Sequence, residues 1–226
     1  RMIVLNKSDL SDHKANEAWA DYFKKQGNLV LAMNCMTGTG VGQLYKVLSR
    51  LQDEKNEGQI RKKSLRMMIV GVPNVGKSSL INRMTGKKSA KTGDRPGVTK
   101  GKQWLGLENG MQLLDTPGIL WPKFEDPKVG LNLAFCGSIK DEILDTASLA
   151  LELIKVLQQD YPTLLTERYK LEELDEDALV NMENIAVKRG FILPGKRIDY
   201  ERCARTLLDE FRGGKIGNIT LEKVQA

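Results

Sequence analysis

Gly71-Val72-Pro73-Asn74-Val75-Gly76-Lys77-Ser78 fits the spacing GxxxxGK[ST], whose chemistry is phosphate binding. Small residues let successive backbone N–H groups curl around phosphate oxygens, and a helix starting at the lysine adds the favourable end of its dipole. Lys77 would reach the β and γ phosphates and the Ser78 hydroxyl would ligate Mg²⁺, with Asn74, Val75, Gly76 and Ser79 lining the nucleotide. Asp115-Thr116-Pro117-Gly118 supplies the complement: Asp115 for the Mg²⁺ shell, and the Gly118 N–H for the γ phosphate, whose loss would release the loop. Between the two, Arg95-Pro96-Gly97-Val98-Thr99 offers Thr99, chosen over Thr92, as the cap on Mg²⁺ and γ phosphate, although an ordinary loop threonine reads the same. Lys77, Thr99 and Gly118 are thus the candidate catalytic residues.

Asn6-Lys7-Ser8-Asp9 chooses the base. A carboxylate at Asp9 accepts the N1–H and 2-amino hydrogens of guanine, donors that adenine lacks. By analogy with base readout in DNA such a bidentate pair gives roughly 1–3 kcal/mol of discrimination. Asn6 would support the loop and the base edge, and the Lys7 stem would cover the purine face. Asn34-Cys35-Met36-Thr37-Gly38 would offer backbone N–H groups to the guanine O6. The ligands implied are GTP or GDP with Mg²⁺.

These loops need strands to carry them. Met2–Leu5 is an apolar run ending at Asn6 and reads as a buried parallel strand. The pattern continues with a helix over 15–26, a strand over 29–33 and a helix over 41–51. A polar linker over 52–64 leads to a strand from Arg66 to Val70, the phosphate loop and a helix over 77–85. A basic loop (86–100) precedes a hairpin of 103–107 and 112–114 around Asn109-Gly110. Alternating strands and helices predict an α/β domain with a mostly parallel sheet and ligands at the carboxyl ends of its strands. After Gly118 the pattern is helical, over 128–135, 145–159, 175–189 and 199–212. The predicted division is a nucleotide-binding domain over 1–155 and a small all-α domain over 156–226. In the last helix Tyr200, Ala204, Leu207, Leu208 and Phe211 form the apolar stripe, while Arg202, Arg205 and Arg212 are placed either to meet RNA phosphates or to form a solvated face.

At 226 residues and 41% hydrophobic content the chain can bury a core. No apolar run is long enough to span a bilayer and no secretory pattern opens the chain, which predicts a cytoplasmic protein, monomeric when free. Cys35, Cys136 and Cys203 lack metal or disulfide spacing and read as free thiols. Of the net +6, residues 160–226 contribute 11 basic against 13 acidic side chains, so the excess of +8 lies in 1–159. Such a surface attracts a polyanion such as RNA, and equally serves solubility.

The motifs resemble those of translational GTPases in rotated order, with the guanine motifs at 6–9 and 34–38 ahead of the phosphate motifs at 71–78, 99 and 115–118. With the run Leu114–Asp126 and the tail Arg212–Ile219, the whole length resembles the ribosome-biogenesis GTPase A family of circularly permuted GTPases. The resemblance implies a bacterial cytoplasmic factor, or an organellar relative, that binds the immature large ribosomal subunit through rRNA and hydrolyses GTP late in maturation. It also implies an N-terminal segment with a Pro-Gly-His element linked to hydrolysis, so an upstream strand and helix are expected to be missing here; His13, the only histidine, reads as a surface residue. Ile119 stands where many small GTPases place a water-orienting glutamine, which predicts slow intrinsic hydrolysis rescued by a partner. Asn74 resembles the asparagine that helps hold K⁺ in cation-activated GTPases, and equally suits a turn.

Overall fold

The computed structural model describes residues 1–86, 103–107, 110–120 and 123–224. The chain divides into two compact units, one within Arg1–Lys123 and one of Phe124–Glu222. The boundary expected at 155 lies inside a helix of the second unit, because the residues from 134 onward already face that unit's core.

The first unit runs β1 (Met2–Leu5), α1 (His13–Lys25), β2 (Leu29–Ala32), α2 (Val41–Asn56), β3 (Arg66–Met68), α3 (Lys77–Thr85), β4 (Gln103–Gly106) and β5 (Gln112–Asp115). β1 pairs parallel with β2, Met2 facing Leu29 and Leu5 facing Ala32. β3 pairs parallel with β5, and β4 joins β5 antiparallel, forming the expected hairpin. Among the described residues these strands make two sheets, β1-β2 and β3-β5-β4, instead of one. β1 and β3 are therefore edge strands. Met2–Leu5 is only half-buried where full burial was expected, and Met68 and Val70 are exposed. One core nevertheless serves both sheets: Leu31 and Met33 meet Leu44 and Leu48 of α2, Leu80, Ile81 and Met84 of α3, and Leu113 of β5.

α2 continues to Asn56 instead of stopping near Leu51, because its last turns hold good helix formers and an Arg50–Glu54 pair at 3.3 Å. Capping separates two kinds of helix. Asp12, Asp126, Asp145, Asp177 and Asp199 each accept a backbone N–H at the start of their helices. α3 instead begins at Gly76, φ 95°, with no side-chain cap, as α2 begins at Gly40.

The second unit is helical: α4 (Pro127–Phe135), a 3₁₀ turn (Asp141–Ile143), α5 (Thr146–Asp160), α6 (Pro162–Tyr169), α7 (Ala178–Arg189), the short strands β6 (Ile192–Leu193) and β7 (Arg197–Ile198), and α8 (Tyr200–Arg212). Phe135, Leu153, Ile154, Leu157, Met182 and Leu207 are fully buried in its core. The arginine stripe of α8 is mostly committed within the fold. Arg212 forks onto Asp141 at 2.7 and 2.8 Å and donates to the Phe135 and Ala134 carbonyls, both at 2.9 Å, satisfying the C-terminal end of α4. Arg205 pairs with Glu201, and Arg202 lies over the Phe191 ring at 4.8 Å. Glu210, only 8% exposed, is held between Arg168 at 2.6 Å and Arg189 at 2.9 Å. Among the described residues no helix is long and apolar enough to cross a membrane.

Candidate nucleotide-binding site

The two halves of the rotated motif set meet at Asn6. Its Nδ2 donates to the Val75 carbonyl in the phosphate loop at 2.8 Å, while its Oδ1 accepts the Cys35 N–H at 3.0 Å. One side chain at the end of β1 thus joins the loop after β2 to the loop after β3. Gly76 is required by that contact, since a Cβ there would lie 2.2 Å from Asn6 Nδ2. Lys7, φ 57°, turns the chain so that Lys7 and Asp9 are exposed beside it. Ser8 N–H donates to the Met33 carbonyl at 3.2 Å, bracing the base motif on the end of β2.

The loop after β2 is organised by a second asparagine. Asn34 Oδ1 accepts the N–H groups of Met36 at 2.8 Å and Thr37 at 3.1 Å. The Met36 side chain projects outward, 76% exposed, and Cys35 is buried. Burial pushes the Cys35 thiol up to about 11, against the nearby Arg83 cation.

In the phosphate loop Lys77 Nζ donates to the carbonyls of Gly71 at 2.9 Å and Val72 at 2.7 Å. Asn74 sits at φ 61°, a conformation asparagine tolerates, which gives it a local role in the turn. Asp115 at the end of β5 is 1% exposed, and among the described residues neither carboxylate oxygen has a hydrogen-bond partner of normal geometry. Burial raises its carboxyl above the usual range, opposed by the Lys77 ammonium, and burial lowers Lys77 against the pull of Asp115. Thr116 Oγ1 donates to the Ile69 carbonyl at 2.6 Å, fixing the start of the loop against β3. Gly118 lies so close to the phosphate loop that a Cβ would meet Pro73 Cα at 2.8 Å and Lys77 Nζ at 3.0 Å. An orphaned buried carboxylate beside an ammonium and glycine-lined backbone fits a site for Mg²⁺ and phosphate. Ser78 and Ser79 lie in the first turn of α3, and Ile119 is 71% exposed.

Thr99 and Thr92, with the rest of 87–102, lie outside the described residues, as do Asn109, Trp121 and Pro122. His13 is exposed at the start of α1, 3.7 Å from Glu17. Sequence reasoning missed Arg83 and Tyr45. Arg83 donates through Nε to the Cys35 carbonyl at 3.2 Å and through Nη2 to the Met36 carbonyl, and Tyr45 Oη donates to the Met84 carbonyl at 2.7 Å. Neither carries a motif signal.

Comparison with known proteins accords with this arrangement. Residues 66–188 match the family model described as 50S ribosome-binding GTPase, and residues 1–125 match that described as RsgA GTPase. Ribosome biogenesis GTPase A of Bacillus cereus is 44% identical across 98% of this chain and 76% of its own length. The chain belongs to the ribosome biogenesis GTPase A family. The Thermotoga maritima protein of that name is 32% identical across 98% of this chain and 76% of its own. The GNP-bound YlqF structure from T. maritima superposes with a TM-score of 0.71 at 30% identity, covering 98% of this chain and 81% of that one. Membership of the ribosome biogenesis GTPase A family makes the fold a circularly permuted P-loop GTPase fold, in which the rotated order of motifs still brings their loops to one place.

Proposed function

We propose that this chain binds GTP with Mg²⁺ and hydrolyses it while assisting assembly of the large ribosomal subunit. The observation that carries the reading is the Asn6 bridge, which holds the guanine loops against the phosphate loop. Asp9 reads the N1–H and 2-amino group, one of the two N–H groups that share Asn34 Oδ1 (Met36 and Thr37) turns from it to meet O6, and Lys77 leaves the Gly71 and Val72 carbonyls to neutralise the β and γ phosphates. Ser78, Thr99 and Asp115 would hold Mg²⁺, which supplies electrostatic stabilisation of the charge developing on the phosphates. Gly118 offers its N–H to the γ phosphate, so loss of that group frees the segment that follows.

Ile119, exposed and aliphatic, cannot orient water, which supports slow intrinsic turnover accelerated by the ribosomal particle. The basic excess in 1–159 supports contact with rRNA. In the helical unit Arg212 of the Arg202, Arg205 and Arg212 stripe is committed to Asp141, and the exposed Lys188, Lys196 and Arg197 are further candidates to meet rRNA phosphates. Free, the protein is a monomer in the compartment where large subunits mature, the cytoplasm, and K⁺ beside Asn74 assists turnover.

The test is multiple-turnover phosphate release from GTP and from ATP, with and without immature large subunits. Stimulated release from GTP alone supports the reading. GTP binding with no turnover under either condition would make the chain a nucleotide-gated binding module instead, and equal use of ATP would overturn the guanine assignment.

A further inference from the structure

The amides of the base loop are held from one side and its carbonyls from the other. Asn6 and Asn34 take the N–H groups of Cys35, Met36 and Thr37. The carbonyls of Cys35 and Met36 both receive the guanidinium of Arg83, through Nε at 3.2 Å and through Nη2. The same group lies against Gly38, where φ is 91° and a Cβ would stand 3.5 Å from Arg83 Cζ. Arg83 is in α3, the helix that carries Lys77 at its first position. One rigid element therefore holds the phosphate lysine at one end and the base loop near the other. The two sheets share no strand pairing among the described residues, and this tie joins them together with Asn6 to Val75 and Tyr45 to Met84.

We propose that Arg83 is a positioning residue for guanine recognition: it fixes the backbone of 35–38 on α3, so that grip on the base and grip on the phosphates are coupled. This rests on reading 34–38 as the loop that meets O6 when the Met36 or Thr37 N–H leaves the shared Asn34 Oδ1. Two adjacent carbonyls demand a fork of donors, which arginine has in a planar group and lysine does not. Arg83 acts through the loop, its guanidinium on the Cys35 and Met36 carbonyls.

The test compares wild type, Arg83→Ala, Arg83→Lys and Asp9→Asn by fluorescence for GDP dissociation rate and for affinity toward GTP, ITP, XTP and 2-aminopurine riboside triphosphate. ITP keeps O6 and lacks the 2-amino group, so its ratio to GTP reports Asp9. The 2-aminopurine nucleotide lacks O6 and N1–H; its N1 deficit is common to wild type and Arg83 variants and cancels when their ratios are compared. Arg83→Ala is expected to speed GDP release about tenfold and to shrink the preference for GTP over the 2-aminopurine nucleotide by a similar factor, with the ITP ratio unchanged. Arg83→Lys should fall between. Unchanged rates and ratios, or equal weakening toward every nucleotide, would overturn the proposal, and Arg83→Lys decides it on the same ratios if the alanine variant unfolds. Asp9→Asn separates the two levels: a shift from GTP toward XTP upholds the guanine site even if Arg83 proves indifferent, and no shift removes the site reading itself.

Discussion

Asn6 and Val75 are 69 positions apart, and the Asn6 amide donates to the Val75 carbonyl at 2.8 Å. Its other end accepts from Cys35, so Asn6→Ala strands one carbonyl and one amide together. The Val75 bond is exposed and the Cys35 bond part-buried, so the loss is about 1 kcal/mol. Asn6→Ala should lower the free energy of urea unfolding by that amount and weaken GDP binding at least tenfold by calorimetry. Wild-type GDP affinity in a folded variant would remove the bridge from the account.

Gly76 and Gly118 should respond differently to alanine. At Gly76 the backbone is left-handed and the new methyl meets Asn6, so stability and binding of both GDP and GTP fall together. At Gly118 the methyl meets Pro73 and Lys77 Nζ and pushes the loop away from the γ-phosphate position. GDP affinity should stay within about threefold of wild type while GTP affinity and turnover fall tenfold or more. Parallel losses at the two glycines would contradict the division of roles.

Asp115 gives the metal-free protein a pH dependence with a definite sign. Its carboxyl titrates above the ordinary 3.8, mainly through burial. The native state therefore holds more protons than the unfolded state across that interval, and stability falls as pH rises through it. Asp115→Asn should remove this slope and raise the thermal midpoint of the metal-free protein near neutral pH, while abolishing Mg²⁺-dependent GTP turnover. A midpoint lowered at neutral pH would show that the carboxylate is satisfied in solution.

Glu210 has the opposite sign. Burial alone would raise its carboxyl, but the hydrogen bond from Arg168 and the charges of Arg189 and Arg168 bring it below the usual range. Its contribution is present above the ordinary carboxylate range and is lost as pH falls through the lowered value. Glu210→Ala leaves two cations facing each other and should destabilise the helical unit by about 3 kcal/mol, the lower end for a buried pair because both arginines are partly exposed. Urea unfolding monitored at Phe211→Trp would report it; a loss under about 0.5 kcal/mol would place the triad with ordinary surface pairs.

The exchange of K⁺ for Na⁺ tests Asn74. Turnover should fall severalfold in Na⁺ for wild type and become insensitive to the cation in Asn74→Ala. Equal rates in both salts for wild type would leave Asn74 with its turn role alone.

The phosphate loop, the base motif and α3 were legible in the sequence because each is a local pattern whose chemistry lies in adjacent residues. α3 begins and ends where its glycine and periodicity put it, at Lys77 and Thr85. What was not legible depends on pairing at a distance. Met2–Leu5 reads as buried, yet β1 is an edge strand among the described residues. Arg212 reads like Arg202 and Arg205 by spacing, and it is the placement of Asp141 and of the Ala134 and Phe135 carbonyls that distinguishes it. α6 and the β6-β7 hairpin escaped although Pro162 and Pro194-Gly195 mark them, since a helix of eight residues and strands of two offer little periodicity. Arg83 was invisible because nothing in a helix announces a partner 47 residues upstream.

The rotated order also sets a timetable for synthesis. Translation releases Asn6, Asp9 and Cys35 before the glycines that will meet phosphate, and Leu44 and Leu48 emerge before Leu80 and Ile81 exist to cover them. A nascent chain halted at residues 57–64 carries a base reader with nothing to anchor it, so the newborn protein is blind to nucleotide until α3 has left the exit tunnel.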